Sequence, residues 1–190
     1  MEMTVVYETV YGTTREVAEA IADGARGAGA TVTVRDIADG LAERAPDLLV
    51  VGGPTHVRGM STAWSRGKAA EDAPPAGAHE GGGAGGADAG VGDDAHGGGR
   101  DDADEATSQG VREWLAHLGT TGGKAATFDT HLGNPLAGGA ARPIARALRR
   151  HGRDVIAREG FVLDGGKGPL RAGELDRARA WGAELAGLVA

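Results

Sequence analysis

Apolar residues along this chain alternate between two spacings, and the changes of spacing divide it into successive elements. Met3 to Glu8 is a short, β-branched apolar run that predicts a strand, and the following stretch sets Val17, Ile21 and Ala25 on one helical face. Gly27 and Gly29 close that helix, Thr31 to Arg35 returns to β-branched residues, and Asp47 to Gly53 (DLLVVGG) is a continuous apolar run suited to a central parallel strand. Further on, Thr107 or Ser108 can cap a helix carrying Val111, Trp114, Leu115 and Leu118, which Gly122 and Gly123 stop. Lys124 to Asp129 predicts a strand, and Asn134 to Gly139 a turn into a helix with Ile144, Ala147 and Leu148. Asp154 to Leu163 predicts a fifth strand and Gly173 to Leu188 a last helix. Trp114 and Trp181 share helical spacing with aliphatic residues, which assigns both to the core. Five strands separated by helices, without a hairpin signal, predict a doubly wound parallel α/β sheet with helices on both faces and strand order 2-1-3-4-5.

Composition interrupts this pattern once. From about Ala69 to Ala106 the chain turns to Gly, Ala, Asp and Pro with almost no large apolar residue, so the reading is one domain over residues 1–190 broken by a disordered insertion. The formal charge of -7 is concentrated there: ten acidic residues and one basic residue between Glu71 and Glu105 make that stretch -9 and leave the rest at +2. Arg outnumbers Lys 17 to 3, but no basic stripe with interleaved aromatics occurs, and nucleic acid is not an expected partner. The chain has no Cys, which excludes disulfides, thiolate catalysis and thiolate-bound clusters, so redox chemistry would need a bound cofactor. His79 and His96 lie far apart among glycines, and no metal site is expected. No apolar run approaches the roughly 18 residues that cross a bilayer. With no signal-like N-terminus either, the expectation is a cytoplasmic protein with no membrane partner.

The first strand leads straight into chemistry. Thr9, Val10, Tyr11, Gly12, Thr13 and Thr14 surround a turn with hydroxyls and backbone amides where a helix start presents its unpaired N–H groups. A phosphate would be satisfied there without a Lys or Arg. The Gly-Lys-Ser/Thr of a triphosphate loop and the three spaced glycines of a dinucleotide fold are both missing. Read as a helix start alone, the same threonines would serve only as caps.

The stretch VVYETVYGTTREVAEAI, Val5 to Ile21, resembles the flavodoxin signature, with Val5, Val6, Tyr7, Thr9, Gly12, Thr14, Ala18 and Ile21 filling its constrained positions. The resemblance in strand and helix pattern runs over the whole chain apart from the insertion. It implies a flavodoxin-like fold with FMN as cofactor, its phosphate held by Thr9, Val10, Tyr11, Gly12, Thr13 and Thr14. It also implies that the loop after the third strand, with Pro54, Thr55, His56, Val57, Arg58 and Gly59, borders the isoalloxazine ring. A backbone carbonyl near flavin N5 accepts a bond only when N5 is protonated, which favours passing electrons singly. The loop after the fourth strand, Phe128 to Pro135, occupies the place of the second flavin-flanking loop, with Asp129, Thr130, His131 and Gly133 at the pyrimidine end. A carboxylate at Asp129 would lower the flavin potential, or would cap a helix or loop. Many flavodoxins stack the ring between a Trp and a Tyr. Here the third-strand loop offers His56 and later Trp64, and the fourth offers neither aromatic.

Two functions follow from the resemblance. One is a low-potential electron carrier between a reductase and an acceptor, with no catalytic residue of its own. The other is an FMN-dependent NAD(P)H:quinone oxidoreductase or flavin reductase, in which a nicotinamide would stack on an open ring face.

Overall fold

A computed structural model describes residues 1–40, 45–55, 110–120, 122–133, 139–166 and 168–189. The expected insertion at 69–106, the loop residues His56, Val57, Arg58 and Gly59, Trp64 and most of the Asn134 to Gly139 turn lie outside the described residues. Strand β1 (Glu2–Tyr7) leads into helix α1 (Thr13–Gly27), strand β2 (Thr31–Asp36), a 3-10 turn (Ile37–Asp39) and strand β3 (Leu48–Pro54). Then come helix α2 (Val111–His117), strand β4 (Lys124–Leu132), helix α3 (Ala141–Arg150), strand β5 (Asp154–Leu163) and helix α4 (Glu174–Gly187). The sheet is parallel throughout in the order β2-β1-β3-β4-β5, the expected doubly wound arrangement.

Alternation along each strand splits the core in two. Met3, Val5, Tyr7, Leu48, Val50 and Phe128 face α1 and α4, whereas Val6, Leu49, Val51 and Ala125 face α2 and α3. Phe161 joins the first layer edge-on to Phe128 and Trp181, with ring centroids 6.3 and 6.2 Å away. Burying a Leu, Val or Phe side chain contributes roughly 1.5–3 kcal/mol, so these two layers supply most of the stability. Trp114 and Trp181 are both buried, as their spacing predicted.

Helices α1 and α4 cross closely because each puts a glycine at the contact. A Cβ on Gly24 would stand 1.8 Å from the Arg179 carbonyl oxygen, and one on Gly182 would stand 2.0 Å from that of Ile21. Strand β4 has a similar requirement: the Phe128 ring lies directly over Gly52 in β3, 2.1 Å from where a Cβ would be.

Two boundaries differ from the sequence reading. Helix α2 is capped at Gly110, whose N–H is bonded by the Glu113 carboxylate at 3.1 Å; Thr107 and Ser108, the expected caps, lie outside the described residues. Its next N–H, on Val111, goes to Glu8, a residue 103 positions away that no local pattern could supply. Strand β4 continues to Leu132 because β5 pairs with it along that length, Thr130 to Phe161 and Leu132 to Leu163. Thr130 and His131, expected in a loop, are therefore strand residues.

Candidate functional site

All five strands end on one edge of the sheet, where a doubly wound fold leaves a crevice beside the reversal of strand order. That reversal falls between β1 and β3. The turn from Glu8 to Gly12 closes one side of it. Glu8 is 4% exposed, gives its N–H to the Gly52 carbonyl at 3.1 Å and accepts the Val111 N–H on Oε2 at 2.9 Å. Thr9 Oγ1 accepts the Gly12 N–H at 3.0 Å, folding the turn back on itself. Gly12 has φ +87, the left-handed region that a side chain disfavours, and this directs the chain into α1. The first backbone bond of α1 runs from Glu16 N to Gly12 O at 3.1 Å, which leaves the N–H groups of Thr13, Thr14 and Arg15 without an intrahelical partner.

A cleft opens at this helix start. Tyr11, Thr13, Thr14, Pro54, Thr130, Leu163, Gly166 and Gly168 line about 260 Å³ of empty space that is partly open to solvent. Three of the sequence-predicted groups, the first-strand turn, Pro54 and Thr130, therefore meet around one space. Thr14 is 2% exposed and its hydroxyl lies 2.9 Å from that of Thr130, also 2% exposed. Thr55, just past β3, sends its N–H to the Thr130 carbonyl at 2.8 Å, and its hydroxyl accepts the Ala140 N–H at 3.1 Å. Thr9, Val10 and Gly12 shape the turn without lining the cleft, and Gly133 stands past the end of β4. A Cβ on Gly133 would come within 3.2 Å of the Arg171 guanidinium.

Asp129 and His131 face the other side of β4, toward α3. Asp129 is 3% exposed; its Oδ2 accepts the Ala141 N–H at 2.8 Å and its Oδ1 lies 2.9 Å from His131 Nδ1. Burial pushes this carboxyl above the ordinary range, against the opposing pull of the Ala141 and Ala140 N–H groups and of His131. The carboxylate caps the start of α3, where Ala140 has no side-chain oxygen to offer. Two glycines make room for the pair: a Cβ on Gly139 would stand 2.4 Å from Asp129 Oδ2, and one on Gly160 would stand 2.6 Å from His131 Cε1.

The last wall of the cleft comes from residues after β5 that carry no hydroxyl-rich motif. After β5 the chain folds back, with Asp164 N bonded to the Pro169 carbonyl at 2.8 Å, Arg171 N to that of Val162 at 2.9 Å, and a Leu163 to Leu170 bridge. This hairpin-like return brings Gly166 and Gly168 to the space beside Thr130. A glycine cluster directly after a strand's carboxyl end was the available signal. Among the described residues no group of three or more His, Cys, Asp or Glu could hold a metal ion. No described helix is long and apolar enough to cross a membrane.

Comparison with known proteins agrees with this geometry. Residues 4–65 match the family described as the flavodoxin domain. Among solved structures, a flavodoxin from the domain Archaea superposes with a TM-score of 0.57 at 18% identity, covering 100% of this chain and 99% of that one. A short-chain flavodoxin associated with a PDU bacterial microcompartment gives 0.55 at 15% identity, covering 100% and 99%. Flavodoxin 1 from Bacillus cereus gives 0.54 at 16%, covering 98% of each chain. No curated protein matches. The fold is that of the flavodoxins.

Proposed function

We propose that this chain binds FMN at the carboxyl edge of its sheet and acts as a low-potential carrier of single electrons between a reductase and an acceptor. The observation that carries this reading is the cleft at the head of α1. Its described lining is hydroxyl, amide and apolar, with no carboxylate to repel an anion. The N–H groups of Thr13, Thr14 and Arg15, which have no intrahelical partner, with the hydroxyls of Thr13 and Thr14, suit a phosphate monoester held without a cation. Pro54, Thr130 and Leu163 offer a surface that a flat heterocycle can lie against. FMN would supply the redox chemistry there, and the chain's part is to bind it, orient it and limit its contact with water.

Visible absorption of the purified protein and titration of the apoprotein with FMN test the binding. Colourless protein that takes up no added FMN would end this reading.

A second reading is an FMN-dependent NAD(P)H:quinone oxidoreductase, and the solvent-open side of the cleft favours it, because a nicotinamide or a quinone must reach the ring directly. Rapid NADPH oxidation by the holoprotein and a quinone, without added reductase, selects the enzyme; none selects the carrier.

A further inference from the structure

Helix α3 turns a face made only of arginine toward solvent. Arg142, Arg146, Arg149 and Arg150 are exposed, and no Asp or Glu occurs in the chain between Asp129 and Asp154. Arg149 donates to the Val155 carbonyl at 3.3 Å, whereas Arg142, Arg146 and Arg150 meet no carboxylate among the described residues. These three stand four residues apart, so each repels the next by about 0.2–0.5 kcal/mol. Arg142 also sits in the first turn, where the helix dipole disfavours a cation.

An arginine-rich composition alone does not account for the pattern, because three of the four arginines on the other long helices are paired with a carboxylate. Helix α1 pairs Arg26 with Asp23, and α4 pairs Arg177 with Glu174 and Arg179 with Asp176. Arg142, Arg146 and Arg150 thus cost stability and meet no carboxylate among the described residues. The first turn of α3 lies at the same carboxyl edge of the sheet as the cleft, on the other face of β4: the helix begins at Ala141, whose N–H is held by Asp129. At the end of the same strand Leu132 is 44% exposed, one of two exposed large apolar residues among those described.

Resting on the carrier reading above, we propose that the α3 arginine row, with Leu132 at the edge of the site, is the docking surface for an acidic electron-transfer protein. Complementary charge steers such a partner to this edge and sets its orientation, while an apolar contact close to the site excludes water. The apolar residues of α3, Ile144 and Leu148, are buried and its exposed face has no aromatic, which disfavours a membrane surface or nucleic-acid bases.

A plant-type [2Fe–2S] ferredoxin serves as the acidic probe, with binding to the full chain followed by isothermal titration calorimetry. This readout needs no electron transfer and no FMN, so the docking surface is judged apart from the flavin titration. Affinity should fall roughly tenfold or more between about 20 and about 200 mM salt. At low salt the triple variant Arg142→Glu, Arg146→Glu, Arg150→Glu should lose roughly tenfold or more. The triple Arg142→Gln, Arg146→Gln, Arg150→Gln should lose less, and Arg26→Glu, Arg158→Glu, Arg179→Glu, with the same charge change elsewhere, should stay within about threefold. Circular dichroism checks that each variant is folded. Salt-independent binding, no binding, or equal losses in the two Glu triples would overturn the proposal. So would tighter arginine-dependent binding to duplex DNA or to phosphatidylglycerol vesicles than to ferredoxin. A rise of roughly tenfold in ferredoxin affinity when Asp93, Asp94, Asp101, Asp102 and Asp104 become Asn would assign the row to the chain's own acidic stretch and overturn it as well.

Discussion

Thr14 and Thr130 lie 116 positions apart in sequence and share a hydroxyl–hydroxyl bond of 2.9 Å in a place almost closed to solvent. The bond ties the head of α1 to the end of β4, so two walls of the cleft are fixed to each other. Replacing Thr14 with Val leaves the Thr130 hydroxyl buried without that partner, and should cost about 1–3 kcal/mol in urea denaturation. The double variant Thr14→Val, Thr130→Val should cost less than the sum of the singles, with a coupling of about 0.5–1.5 kcal/mol. Strict additivity would mean that the bond does not form. Each single variant should also weaken FMN uptake.

Gly12→Ala isolates backbone conformation from packing. A Cβ there meets no atom within 4 Å, yet φ is +87. The expected loss is about 1–2 kcal/mol, from the left-handed conformation alone. Fluorescence titration should show weaker FMN binding as well, because the turn sets the direction of the N–H groups of Thr13 to Arg15.

Helices α1 and α4 provide the opposite case. Gly24→Ala and Gly182→Ala each drive a methyl into a backbone carbonyl, and each should destabilise by about 3 kcal/mol or more because the helices must move apart. Gly27→Ala, with open space and no positive φ, should be neutral or stabilise by up to about 1 kcal/mol. Thermal melts of the three variants check the ordering.

Asp129 gives a pH signature. Its carboxyl is raised in the folded protein above the ordinary value of 3.8, so at intermediate pH the folded state holds a proton that the unfolded state has released. The stability from this group is complete below 3.8 and is lost as pH rises through the folded value. Compared with Asp129→Asn, the wild type should therefore gain stability as pH falls from neutral toward 4. Urea melts of both proteins in a His131→Gln background keep the neighbouring imidazole out of the comparison. A stability gap that is constant with pH would contradict the raised carboxyl.

Both tryptophans and the limits of β5 could be read from the sequence because each rests on periodicity within a short window, and strand order because alternating strands and helices with right-handed crossovers leave few arrangements. The hydroxyl-rich turn was legible for the same reason: Thr9 to Thr14 is a local motif whose helix start follows directly. What escaped depends on distance along the chain. Glu8 looked like an ordinary polar end to a strand, but it caps a helix 103 positions later. Asp129 could be read as an electrostatic neighbour of the cofactor or as a cap, and only the approach of Ala140 and Ala141 makes it a cap. The end of β4 was placed three residues early because Thr130 to Leu132 takes its strand character from pairing with β5. Gly166 and Gly168 escaped because a glycine cluster signals a turn and does not say which space the turn borders.

The Glu8 contacts bear on how this fold tolerates change. Its N–H is bonded to Gly52 and its carboxylate to Val111, and a Cβ on Gly53 would stand only 3.2 Å from the Val111 side chain. The chain thus leaves β3 and re-enters at α2 through neighbouring anchor points. When a loop's ends are pinned side by side, doubling its length costs only about 0.6 kcal/mol of closure entropy. Residues could be added or removed between these anchors, or a foreign domain spliced in, with little strain passed to the sheet, making this junction a place where the protein can acquire new sequence while its cleft keeps its shape.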